Sequence, residues 1–155
     1  MLNIVTGKIN SGKTTRLLNI YKTNGSGDGF ISVKNMKGSM VHSYDIMRLS
    51  TKEATQFVVH EQFMDQELDV ACQIGPYLFL QDTLNYIYDE YRKLIKQGIS
   101  PLYIDEIGML ELHDQAFHQI FKELIESNLT VYAVIREDLI EDVLKKYNVN
   151  TFKII

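Results

Sequence analysis

Apolar residues along the chain recur with two periods, and the alternation between them predicts its elements. Leu2-Asn3-Ile4-Val5 is a short apolar run of strand type, and Thr15 to Tyr21 follows with Leu17, Leu18 and Tyr21 at helical spacing. The glycine-dense stretch Asn24 to Gly29 is short enough to be a loop, leading into a strand at Phe30-Ile31-Ser32-Val33. Lys34 to Gly38 has the composition of a turn. Met40 to Met47 alternates in the manner of a half-exposed antiparallel strand, and Gln56 to His60 fits a third strand. From Glu61 to Gln73 polar and acidic residues dominate with weak periodicity, the pattern of a surface loop or short helix.

Helical order returns at Gln81 to Gln97, where Leu84, Ile87, Tyr88, Tyr91, Leu94 and Ile95 form one stripe and Gly98 stands at the capping position. The tyrosines of that stripe are expected in the core. Pro101 to Glu106 is a buried strand ending in two acids, Phe117 to Ile125 is an amphipathic helix, and Thr130 to Ile135 is a continuous apolar strand. A helix at about Asp138 to Tyr147 and an edge strand at Phe152 to Ile155 close the series. Strands alternating with helices predict an α/β fold over one domain, residues 1–155. No internal repeat or low-complexity tract interrupts it.

Composition narrows the picture. With 155 residues, 45% hydrophobic and 23% charged, the chain can bury one sizeable core. No apolar run reaches membrane-spanning length, and Met1-Leu2-Asn3 leads into a strand instead of a signal peptide, so a cytoplasmic protein is expected. Cys72 is the only cysteine, which excludes an internal disulfide and suits a small buried side chain. Sixteen Lys and Arg against 20 Asp and Glu give a net charge of −4, an argument against nucleic acid held by a global basic field. Phosphate attraction must therefore be local.

The sequence supplies such a place. Gly7-Lys8-Ile9-Asn10-Ser11-Gly12-Lys13-Thr14 has the form G-x-x-x-x-G-K-[ST], set between the first strand and the first helix. Gly7 and Gly12 let backbone N–H groups turn inward around a phosphate, and Lys13 adds a positive charge for the outer phosphates. Thr14 offers a hydroxyl to Mg²⁺, while Thr15 continues into a helix whose positive end faces the same anion. Ligands of open parallel sheets lie beyond the carboxyl ends of the strands, so the acids after Leu102-Tyr103-Ile104 should arrive beside this loop. Asp105 is then expected to hold Mg²⁺ through water or Thr14. Glu106, pointing the other way by strand alternation, would orient or deprotonate an attacking water. Arg136 emerges over the site if its strand lies between the loop strand and the Asp105 strand. There it would neutralise the transferring phosphoryl group; the alternative is a surface ion pair with Glu137 or Asp138.

Four stretches together carry a family resemblance: Thr6 to Thr15, Gly29-Phe30, Ile74 to Tyr77 with the helix after it, and Ile104-Asp105-Glu106-Ile107-Gly108-Met109-Leu110-Glu111. Over most of residues 1 to 135 the chain resembles the P-loop nucleoside-triphosphatases of the thermophile and cancer-related type, described variously as nucleotide phosphatases or kinases. The resemblance implies a three-layer, RecA-like core with a mostly parallel sheet and a β-hairpin segment. It also implies binding of ATP, GTP or a related triphosphate with Mg²⁺ and cleavage of the terminal phosphate. Lys13 and Thr14 match the family's phosphate and metal groups, Asp105 its metal-linked acid and Glu106 its catalytic acid. Asn10 replaces an inner glycine of the loop and Met109 a lysine, and the family's usual closing segment is missing after Ile135.

Three readings follow. A Mg²⁺-dependent hydrolase uses Asp105-Glu106 directly. A nucleotide or small-molecule kinase would replace the water by an acceptor hydroxyl, although Arg16, Arg48, Arg92 and Arg136 do not cluster as the arginines of a closing lid do. A nucleotide-gated binding module would meet a protein partner through Phe30 to His60, where Met36, Met40 and Met47 suit either a partner or the core. His42, His60, His113 and His118 show no metal spacing.

Overall fold

In the computed structural model, which describes residues 1–64 and 66–155, one nine-stranded sheet carries the chain. Its strands are β1 (Leu2–Val5), β2 (Asp28–Lys37), β3 (Met40–Arg48), β4 (Ala54–His60), β5 (Val70–Ile74), β6 (Tyr77–Leu80), β7 (Leu102–Ile107), β8 (Val131–Ile135) and β9 (Phe152–Ile154). The helices are α1 (Lys13–Asn24), α2 (Gln81–Lys96), α3 (Met109–Leu112), α4 (His118–Glu126) and α5 (Ile140–Lys146). The spatial order is β5-β6-β4-β3-β2-β7-β8-β1-β9. Strands β2, β7, β8, β1 and β9 pair in parallel, whereas β3, β4, β6 and β5 add to the β2 edge as an antiparallel meander. The sheet is thus parallel in one half only, a larger departure than a single added hairpin.

The pleat sorts the core into two layers. Successive residues of a strand face opposite ways, so Ile4, Phe30, Ile104 and Ala133 join one cluster while Val5, Ile31, Tyr103 and Val134 join the other. Helix α1 seals the second through Leu17, with Leu18 and Tyr21 against it. Helices α2, α4 and α5 seal the first with Leu84, Ile87, Tyr91, Leu94, Ile120, Phe121, Leu124 and Val143. Tyr91 is wholly buried and donates its hydroxyl to the Tyr103 carbonyl, a core role that satisfies its one polar atom. Cys72 is buried and free.

Two stretches differ from the sequence expectation. Lys34 to Gly38 is not a turn: β2 runs on through Lys37 because its neighbour β3 pairs with it out to Met40, and the reversal is confined to Gly38-Ser39. Within Glu61 to Gln73, a stretch of which Asp65 lies outside the described residues, Glu61–Phe63 is one 3-10 turn and β5 begins at Val70. The strand bonds of β5 come from β6, a partner that weak local periodicity does not reveal. Met47 packs against the core, whereas Met36 and Met40 stand exposed near the β2–β3 reversal. No described helix is long and apolar enough to cross a membrane.

Candidate functional site

Strand β8 lies between β1 and β7, so the loop after β1 and the acids at the end of β7 flank the Val134–Ile135 end of one intervening strand. Gly12 closes the loop in the left-handed region (φ 80°), and Asn10, at φ 57°, occupies the same region without being glycine. A Cβ on Gly7 would run into the Ser11 side chain. No side chain caps α1, so the first N–H groups of the helix remain available to an anion. Lys13 folds back and donates from Nζ to the Lys8 carbonyl at 2.6 Å, which holds its ammonium against the loop it would serve.

The turn from β7 towards α3 is built by one extra residue. Ile104 pairs with Ala133 and Ile107 with Ile135, leaving Asp105 and Glu106 opposite Val134 alone. Glu106 takes φ 59° to absorb the mismatch. Such bulges re-aim side chains and are frequent beside active sites. The two carboxylates consequently diverge by a backbone kink, a stronger device than the simple alternation expected from the sequence.

Asp105 is 1% exposed. Its Oδ2 accepts from the Thr14 hydroxyl at 2.8 Å and from the Ser32 N–H at 3.0 Å, while its Oδ1 is buried without a hydrogen-bond partner. Burial pushes this carboxyl up to about 6, against the pull of those donors and of Lys13. Glu106 opens to solvent at the mouth of the cleft but is enclosed by protein on its other sides. Desolvation first, and the Asp105 carboxylate second, raise it to about 7, with Lys13 and Lys34 opposing. Glu111, which the sequence reading left without a role, is buried and uses both oxygens to hold backbone: Oε2 accepts from Gly108 N–H at 2.8 Å and Oε1 from Phe117 N–H at 3.1 Å. It fixes the chain just beyond Glu106.

Asn10, Ser11, Gly12, Lys13 and Thr14 line a cleft of about 440 Å³ with Ser32, Lys34, Tyr44, Glu106 and Val134. Lys8 and Ile9 are not among its lining residues and border a separate depression with Arg136, Glu137 and Asp138. Thr15 follows in the first turn of α1. Arg136 emerges where the strand order requires but is engaged by Asp138 through Nε and, at 2.8 Å, Nη2, so the ion-pair alternative is the one seen. The remaining arginines are committed as well: Arg16 to the carbonyls of Thr6 and Ile155, Arg48 to Asp28 and Glu90, Arg92 to Glu123.

Ser32, Lys34 and Tyr44 are cleft residues that sequence reading missed. A signal for Lys34 existed, since a strand carried past Val33 puts it on the face of Ser32, two residues earlier. Tyr44 had none, because only the pairing of β3 with β2 brings it there.

Divalent-cation chemistry fits this donor set. An orphaned buried carboxylate oxygen lies on the residue that binds the loop hydroxyl, and Asp105 with Thr14 would hold the ion. Among the described residues no three His, Cys, Asp or Glu side chains gather as a metal cage. An ion bound mainly by phosphates and water needs none.

No curated protein matches the chain by sequence. The solution structure of a human cancer-related nucleoside triphosphatase superposes at a TM-score of 0.66 with 20% identity, over 99% of this chain and 86% of the other. The crystal structure of THEP1 from the hyperthermophile Aquifex aeolicus gives 0.68 with 20% identity, over 100% and 88%. These likenesses establish the α/β fold. The NTPase family model matches residues 3–155, so the similarity continues past Ile135 to the last residue. With that match over nearly its whole length, the chain belongs to the NTPase family and is a nucleoside-triphosphatase.

Proposed function

We propose that the chain hydrolyses nucleoside triphosphates to diphosphate and phosphate with Mg²⁺, Glu106 acting as the base for the attacking water. The observation that carries this is the bulge at Asp105-Glu106, which joins one carboxylate to Thr14 and turns the other into the phosphate cleft. Gly7 to Thr15 bind the phosphates through backbone N–H groups, and Lys13 exchanges the Lys8 carbonyl for a phosphate oxygen. Asp105 and Thr14 would hold Mg²⁺, which would supply positive charge to offset the phosphate oxygens. Glu106 accepts the water proton, and a carboxyl raised to about 7 suits a base working near neutral pH. Arg136, paired with Asp138 and outside the lining of the cleft, would have to leave that pair to reach the transferring phosphoryl group.

The test is phosphate release from ATP, GTP, CTP and UTP with Mg²⁺ or with chelator. Glu106→Gln should lower kcat by about 10²–10⁴ with nucleotide still bound, and Lys13→Ala should lose binding. A Glu106→Gln protein as fast as the parent would refute the assignment.

A further inference from the structure

Beyond Glu106 lies a second cavity of about 230 Å³, meeting the phosphate cleft at Ser32, Tyr44 and Glu106. Its walls are aromatic: Tyr44, Phe57, Tyr77, Phe79 and Phe117, with ring centroids 5.9 Å apart for Tyr44–Tyr77, 5.3 Å for Phe57–Phe79 and 5.5 Å for Phe57–Phe117. Hydrolysis needs room for one water, which about 15 Å³ of such space satisfies. Interiors otherwise pack without voids. An apolar cavity of this size against a reactive carboxylate therefore suits an organic ligand. None of the described residues lining it is Lys or Arg, while Glu106 and Glu111 both are acids, so a phosphorylated acceptor would meet no counter-charge. With Mg²⁺ held by Asp105 and Thr14 as proposed above, Glu106 stands at the terminal-phosphate end of the cleft, and the depression holding Lys8 and Arg136 is separate.

We propose that this cavity receives an uncharged alcohol bearing a flat apolar or aromatic group, whose hydroxyl replaces water at the terminal phosphate. The inference rests on Glu106 facing that phosphate as read above. The acceptor oxygen bonds to the γ-phosphorus, the bond from γ-phosphorus to the bridging oxygen breaks, and its electron pair leaves on the diphosphate. Glu106 takes the hydroxyl proton. The products are a phosphomonoester and a nucleoside diphosphate.

The experiment combines γ-labelled ATP and Mg²⁺ with 2-phenylethanol, with glycerol and uridine 5′-monophosphate as comparators. Binding of 2-phenylethanol is followed separately by saturation-transfer NMR with and without Mg²⁺-ADP. Label should pass to 2-phenylethanol at least tenfold faster than to either comparator, and ADP should leave the alcohol bound. Met109→Trp, at an exposed position on the cavity rim, should cut transfer at least tenfold and leave release to water within twofold. Phosphate release that continues while the alcohol neither binds nor accepts label overturns the acceptor cavity and spares the hydrolase. Displacement of the alcohol by ADP also overturns it, by making the cavity a base pocket. Transfer without release to water upholds the cavity and removes the hydrolase.

Discussion

Replacing Asp105 by Asn should change stability with a sign that depends on pH. The folded carboxyl is shifted from 3.8 to about 6, so its charged form is disfavoured in the buried site by about 3 kcal/mol. Because the folded value lies above the unfolded one, the burden is absent below pH 3.8. It grows as pH rises and is complete once pH has passed the folded value. Asparagine removes the charge but places an amide N–H₂ where Oδ1 already lacks a partner, at about 1–2 kcal/mol. Asp105→Asn should therefore be more stable than the parent by about 1–2 kcal/mol at pH 8, and less stable by a similar amount at pH 4.

Urea unfolding of both proteins in chelator, at pH steps from 4 to 8.5, measures the difference directly. Addition of Mg²⁺-ATP at 100 times its Kd should then stabilise the parent by about 2.7 kcal/mol and the variant far less, reversing the order. Glu106 titrates in both proteins, but loss of the Asp105 charge should lower its pKa in the variant. A stability difference that stays constant from pH 4 to 8.5 would refute the account of Asp105 as a strained, ligand-awaiting carboxylate.

Three further outcomes are expected. Asp28 accepts from Arg48, the Ser50 hydroxyl and the N–H groups of Gly29 and Ser50 while nearly buried; Asp28→Ala leaves Arg48 short of a partner and should destabilise by about 3–5 kcal/mol in urea unfolding. A Cβ on Gly29 would run into the Tyr103 carbonyl across the β2–β7 pairing, where neither backbone can yield cheaply, so Gly29→Ala should lower stability by more than ~2 kcal/mol and reduce soluble yield. Arg136→Ala should leave the melting temperature almost unchanged, since an exposed pair is worth little, yet reduce kcat by about tenfold or more; an unaltered kcat would restrict Arg136 to its pair with Asp138.

Local sequence specified the parts of this molecule whose partners are near in the chain or whose chemistry is spelled by spacing. The glycine-rich motif is one, because Gly7, Gly12, Lys13 and Thr14 fall within one loop and the first turn of α1. The parallel strands are another, since Leu102 to Ile104 and, apart from the half-buried Tyr132, Val131 to Ile135 are buried on both faces and so read as continuous apolar runs. What was illegible depends on distant pairing. The bulge at Asp105-Glu106 exists only against β8, some thirty residues on. The same limit governs substrate choice. The proposed phosphate cleft would recognise what every triphosphate shares and is built locally, whereas the aromatic cavity is assembled from β3, β4, β6 and the chain beyond β7, elements that the antiparallel half of the sheet brings together. On the proposed acceptor reading, discrimination among acceptors falls to residues such as Tyr44 and Phe79, which line that cavity and which no phosphate-binding motif encodes.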